Sequence, residues 1–312
     1  MHSLPYLFTQ AAILSQAIAI CAPTGNNHTI LTKTLVTTDG YTYVYDYATA
    51  ANASRPTVLL LHGFPASRHD WEHTIPALAA EGYGVIAPDL LGFGDSSKPT
   101  ELEAYNLKDI FVFVTVPYGP AGLFFDIDAV NALSLETLGY AQFGYWYFFN
   151  SWDTADLISY NLESTFSLVW TTNESSWGTD FANIGAARAW ITANTTTEPP
   201  SWVTPEYKAR WLRLYSQPNI TVSSLNYYQA MLRGVHVADE AVLTDEDRKL
   251  RVPTLAVGSA KDQIATPDLQ KAFIETWAVA GFQQLIVDSG HWVMQEKGDE
   301  LNDILIEFIG RE

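Results

Sequence analysis

The chain has a single cysteine, Cys21, within the N-terminal apolar stretch. A chain trimmed after residue 22 has no disulfide, no thiolate nucleophile and no cysteine metal site. Basic residues are scarce: 17 Lys and Arg against 35 Asp and Glu give a formal charge of −18 and an isoelectric point near 4.6. Such a surface repels nucleic acid and anionic membranes, so neither is expected as a partner; a neutral or cationic small molecule is easier to attract. The apolar run Ala11 to Ile20 is too short to span a bilayer. There is no internal repeat, low-complexity tract or metal-ligand spacing, and no cofactor or metal is expected.

What is present is a large folded chain. Its 312 residues, 47% of them apolar, are enough for one α/β domain or for a core domain with an insertion. The apolar run ends at Ala22, before Pro23-Thr24-Gly25-Asn26, which fits a cleavable signal peptide over residues 1–22. No Lys or Arg precedes that run, so a buried first helix is the competing reading. Five N-x-[ST] sequons begin at Asn27, Asn52, Asn173, Asn194 and Asn219. Together with the leader they favour a secreted or luminal glycoprotein.

Periodicity places the elements. Ile30 to Val36 and Tyr41 to Tyr47 read as a strand pair turned at Thr38-Asp39-Gly40. Thr57 to Leu61 is a continuous apolar run of the kind buried on both faces, and it leads into His62-Gly63-Phe64-Pro65. Arg68 to Glu81 reads as helical, and Gly84 to Pro88 as a strand entering Asp89-Leu90-Leu91-Gly92-Phe93-Gly94-Asp95-Ser96-Ser97-Lys98-Pro99. From Phe124 to about Val237 the composition turns aromatic-rich and helical. Strands resume at Arg251 to Asp262 and Gln284 to Val287, the second followed by Asp288-Ser289-Gly290-His291-Trp292, and a helix from about Asp299 to Ile309 ends the pattern.

The string HGFP followed after a helix by PDLLGFGDSSKP resembles the epoxide-hydrolase and haloalkane-dehalogenase branch of the α/β-hydrolases. The resemblance implies an α/β-hydrolase fold, a mostly parallel sheet flanked by helices, with an inserted helical cap. Its domains would be a signal peptide at 1–22, core at 23–123, cap at 124–237 and core again at 238–312. It implies His291 as base, Asp262 as its orienting acid and the Phe64 backbone N–H as half of an oxyanion hole. The segments Phe143 to Phe149 and Leu225 to Tyr228 resemble the two cap segments that each supply a tyrosine to an epoxide oxygen, which selects Tyr145 and Tyr228, with Tyr147 as a neighbour able to replace Tyr145.

No attacking group completes the set. Neither G-x-D-x-G nor G-x-S-x-G occurs anywhere in the chain. Family-like sequence stands on both sides of Ile110-Phe111, and roughly forty residues that the pattern would place there, including the central strand and the elbow helix, are absent by this reading. His69-Asp70-Trp71 and Gly94-Asp95-Ser96 carry aspartates, but Asp70 belongs to the first helix, without flanking glycines, and Asp95 to its own loop. The expectation is an epoxide-hydrolase-like chain for a small apolar epoxide, inactive as written. It is either an altered splice form of an active enzyme or a truncated paralogue that binds a ligand without turnover. A serine esterase or a haloalkane dehalogenase relative is the rival class. The oligomeric state is open.

Overall fold

The β-branched and aromatic stretches near the N-terminus pair as their alternation requires. The computed structural model describes residues 29–105, 126–173 and 176–311, with the backbone of 18–19. The chain divides into two compact units, Met1–Lys98 and Pro99–Glu312.

The first unit contains β1 (Ile18–Ala19), β2 (Leu31–Val36), β3 (Thr42–Ala48), β4 (Thr57–Leu59), α1 (Thr74–Ala80) and β5 (Gly84–Pro88). The sheet order is β1-β2-β3-β5-β4. β2 and β3 form an antiparallel hairpin from Leu31↔Tyr47 to Val36↔Thr42, and Gly40 at φ +86° takes the left-handed position in its turn. β4 runs parallel to β5 from Thr57↔Gly84 to Leu59↔Ile86. The interior of this sheet is β5, where Val85 and Ala87 are fully buried.

β4 departs from the sequence expectation. It is shorter than the run Thr57 to Leu61, and Leu59 is 57% exposed instead of buried. Among the described residues no strand pairs with its outer edge, so the apolar run meets no neighbour there. The described sheet is accordingly mixed, with antiparallel pairing along β1-β2-β3-β5 and parallel pairing at β4–β5; a second sheet pairs Thr254–Ser259 in parallel with Phe282–Val287.

In the second unit a run of helices precedes that second sheet. These are α2 (Ile127–Leu138), α3 (Tyr145–Phe149), α4 (Thr154–Tyr160), α5 (Leu162–Val169), α6 (Ala186–Thr192), α7 (Pro205–Tyr215), α8 (Ile220–Leu232) and α9 (Val237–Glu240), with a π-helix at Trp177–Ala182. α2 to α8 lie within residues 124–237, and α9 runs past that bound. Then come β6 (Thr254–Ser259), α10 (Pro267–Glu275), β7 (Phe282–Val287), α11 (Val293–Glu296) and α12 (Gly298–Gly310). Two helices open as their sequences dictate: Thr204 Oγ1 accepts from Tyr207 N at 3.1 Å and Thr266 Oγ1 from Leu269 N at 3.3 Å, each followed by a proline at the first helical position. The interior of this helical stretch is aromatic. Trp170 is fully buried, stacked on Phe166 at 4.6 Å and on Trp292 at 5.1 Å.

The Ile110-Phe111 join, the family-like sequence that follows it to residue 125, Cys21 and most of the expected signal peptide lie outside the described residues. Among the described residues no helix is long and apolar enough to cross a membrane.

Candidate active site

The C-terminal ends of β6 and β7 are laced together, and this lacing sets the site. Ser289 Oγ donates to Ser259 Oγ at 3.2 Å, Ala260 N to Val287 O at 2.9 Å and Lys261 N to Ser289 O at 3.0 Å. The loops leaving the two strands are thereby held side by side, and His291 Nδ1 meets Asp262 Oδ2 at 2.7 Å. The other carboxylate oxygen of Asp262 accepts from Ile264 N at 2.8 Å and Ala265 N at 3.0 Å. A carboxylate only accepts, so the pairing puts a ring proton on Nδ1, and in the neutral ring the lone pair is then on Nε2.

Further contacts hold the histidine loop. Glu296 Oε2 accepts from Gly290 N at 2.8 Å, and Trp292 Nε1 donates to Val169 O at 3.1 Å. The imidazole lies between two indoles, with ring centroids 5.0 Å from Trp177 and 4.8 Å from Trp292. A cavity of about 20 Å³ beside it, lined in part by Lys261, Asp262, His291 and Glu296, has room for a water.

Tyr145 opens α3 and Tyr228 sits on α8, and the fold brings them together. Their ring centroids are 6.3 Å apart at 73°, and their hydroxyls hydrogen-bond to one another. Tyr145 is buried and stacks on Phe181 at 4.5 Å. Burial pushes both phenols well above their usual value, and the nearby Asp262 charge adds to the rise at Tyr145. Both therefore stay protonated at neutral pH, as hydrogen-bond donors to a developing alkoxide must. Tyr147 is engaged elsewhere: its hydroxyl bonds to Asp128.

Phe64 lies in the first unit, before a cis peptide to Pro65, with its ring 6.4 Å from Phe93. Its neighbour His62 is structural. Leu90 N donates to His62 Nε2 at 3.0 Å and His62 Nδ1 donates to Gly63 O at 2.9 Å, an arrangement that needs a neutral ring; burial lowers its pKa in the same sense. The loop after β5 closes around Asp89, which is fully buried, pairs with the Arg68 guanidinium and accepts from Arg68 N at 2.8 Å and Asp95 N at 2.9 Å. So Asp89, and not Asp95, closes the loop; the Asp95 carboxylate reaches Arg68 at 3.1 Å. Gly94 is obligatory there, because a Cβ would stand 2.0 Å from Asp89 Cγ. Asp70 is buried on a 3₁₀ turn, Arg68–Trp71, which precedes α1, and not on the helix itself.

A family model of the alpha/beta hydrolase fold matches residues 56–164. Bifunctional epoxide hydrolase 2 of Rattus norvegicus is 27% identical over 296 residues, covering 83% of this chain and 52% of the relative. Epoxide hydrolase A of Mycobacterium tuberculosis is 25% identical over 306 residues, covering 83% of this chain and 92% of the relative. The crystal structure of epoxide hydrolase A from Mycobacterium thermoresistibile superposes with a TM-score of 0.67 at 26% identity, over 90% of this chain and 98% of that one. The chain has the α/β-hydrolase fold and is similar to epoxide hydrolases. It spans about half the length of the first curated relatives it matches, 52% in the rat protein.

The second unit alone unites four of the five residues singled out in the sequence: His291 with Asp262, and Tyr145 with Tyr228. Phe64 belongs to the other unit. Sequence reasoning missed Trp177, Glu296 and the side chains that grip the Asp262 loop. Nothing in their spacing sets them apart from ordinary core and surface residues; only Trp292, next to His291, carried a signal. Among the described residues no cluster of three or more His, Cys, Asp or Glu could hold a metal. Chemically, the set offers a base at Nε2 and two neutral phenols, but Asp262 spends all its contacts on His291 and two backbone N–H groups and is not available to attack.

Proposed function

We propose that this chain binds a mostly apolar epoxide at a site of the epoxide-hydrolase kind and does not pass through the ester intermediate. The observation that carries the reading is the 2.7 Å pairing of His291 with Asp262 in the same unit as the protonated Tyr145–Tyr228 pair. In this reading Tyr145 and Tyr228 hydrogen-bond the epoxide oxygen, and His291 with Asp262 keeps the arrangement of a general base with no ester to hydrolyse. An ester needs an attacking carboxylate on a strained elbow, and the 312 residues hold neither G-x-D-x-G nor G-x-S-x-G. Two tyrosine donors also suit an epoxide oxygen better than a halide leaving group.

The test is to titrate an aryl epoxide against tryptophan fluorescence and assay diol, covalent adduct and nitrophenyl ester cleavage in parallel. Saturable binding with no diol and no adduct supports the proposal. Diol formation overturns the inactivity, ester cleavage moves the chain to the serine esterases, and absence of binding removes the site. Transcript sequence across Ile110-Phe111 separates a skipped segment encoding G-x-D-x-G from a true truncation.

We further propose a secreted or luminal glycoprotein. The support is the leader-like residues 1–22 and the exposure of Asn52, Asn173, Asn194 and Asn219, the sequon asparagines among the described residues. Expression in a secreting host followed by glycosidase digestion tests it, and an unchanged mass would refute it.

A further inference from the structure

We propose that Gln142 is a positioning residue for the Asp262–His291 pair, acting through the loop Asp262 to Ala265, with Tyr140 and Gln263 sharing the role. Gln142 is buried, and its Nε2 donates to Ile264 O at 2.6 Å. Two residues earlier, Tyr140 donates its hydroxyl to Gln263 O at 2.7 Å. The Gln263 side chain is itself gripped, with Oε1 accepting from Gly178 N at 2.6 Å. The loop's N–H groups at Ile264 and Ala265 point to Asp262 Oδ1, and its carbonyls at Gln263 and Ile264 point to Tyr140 and Gln142. Each side of the loop is therefore satisfied by a different partner, and release of the carbonyl side frees the carboxylate that orients His291.

The gripping segment is anchored in turn. Gln142 N donates to Ser134 Oγ at 3.0 Å and Phe143 N to Asn131 Oδ1 at 2.8 Å, and Asn131 and Ser134 are the buried residues of α2. Gly144 packs so closely that a Cβ would stand 2.5 Å from Ile184 N and 2.7 Å from Ala182 O. Tyr145 follows directly. One rigid stretch, Tyr140 to Tyr145, thus holds the acid's loop with its first residues and presents a phenol with its last, which fixes the spacing between the phenol pair and the base. This deepens the reading of the site proposed above and rests on it.

The experiment follows the hydrogen-bonded Nδ1 proton of His291, a far-downfield resonance in ¹H NMR spectra in water, assigned by its loss in His291→Gln. In Gln142→Leu its exchange with water should quicken roughly three- to tenfold, the effect of one lost hydrogen bond. Gln229→Leu is the control, since Gln229 Nε2 makes a comparable bond to Phe149 O at 3.0 Å with no link to the loop, and should leave the rate unchanged. Tyr140→Phe, a milder change, should quicken exchange about two- to threefold and decides the matter if Gln142→Leu does not fold. A resonance that is present but unmoved in Gln142→Leu, or moved equally in Gln229→Leu, overturns the inference alone. Absence of the resonance in the unaltered chain overturns the His291–Asp262 pairing and with it the functional reading.

Discussion

In the first unit, the loop after β5 is built around a buried carboxylate and its guanidinium partner, with Asp89 and Arg68 tied to Asp95 and Asp46. In the second, the helical stretch is packed with rings: Trp170 lies among Phe166, Trp211, Tyr207 and Trp292, and the phenols of Tyr145 and Tyr228 are embedded in the same kind of surroundings. A buried ion pair is directional and fails as a unit when one partner is lost, whereas aromatic packing spreads its energy over many contacts. That difference explains why the loop's motif is a contiguous string and the residues of the helical stretch are dispersed.

The comparison can be broken first at Asp89. Asp89→Asn leaves Arg68 buried without its main counter-charge, and guanidinium denaturation should show a loss of about 3–5 kcal/mol. Trp170→Ala should come close behind, at about 3–4 kcal/mol by the same measurement, because the stacks on Phe166 and Trp292 open a cavity. If Asp89→Asn costs less than a surface substitution, the ionic account of the loop fails.

A smaller effect separates the units by pH. His62 has its pKa lowered by burial, so the unfolded chain takes up its proton first as pH falls; the stability it contributes is present above 6.5 and is lost below it. Tyr145 and Tyr228 have theirs raised by burial, so the unfolded chain releases protons first as pH rises; that stability is present below 10.0 and is lost above it. Amide exchange followed residue by residue should show acid loosening around His62 and Leu90 and alkaline loosening around α3 and α8. Loosening of α3 and α8 on the acid side would contradict the assignment. The smallest effect is expected for Tyr228→Phe, about 0.5–1.5 kcal/mol by denaturation, since it removes one hydroxyl bond and keeps the ring contacts with Trp146 and Phe149.

Much of this was legible in the residues. The hairpin strands fall within a residue of their predicted bounds, and the threonine-proline starts of α7 and α10 form as capping rules require. Asp262 and His291 were legible because each follows a strand at its C-terminal end, and local sequence records that. The tyrosine pair was legible only by resemblance, since a phenol in an aromatic run has no local mark of function. The exposure of Leu59 was not legible, because burial of a strand depends on a neighbour that the strand's own sequence cannot name.

What the sequence by itself determined is the chemistry on offer: a histidine and an acid that each follow a strand, tyrosines in aromatic runs, a glycine-rich loop carrying aspartates, and neither G-x-D-x-G nor G-x-S-x-G. These depend on residue identity and short spacing. Only the tertiary structure decided which groups meet. Asp262 and His291 stand 29 positions apart and Tyr145 and Tyr228 stand 83 apart, and each pair forms because packed helices and laced strands bring their ends together. The grip of Gln142 on the loop of Asp262 is of the same kind, a contact over 122 positions set by packing and written in no local pattern.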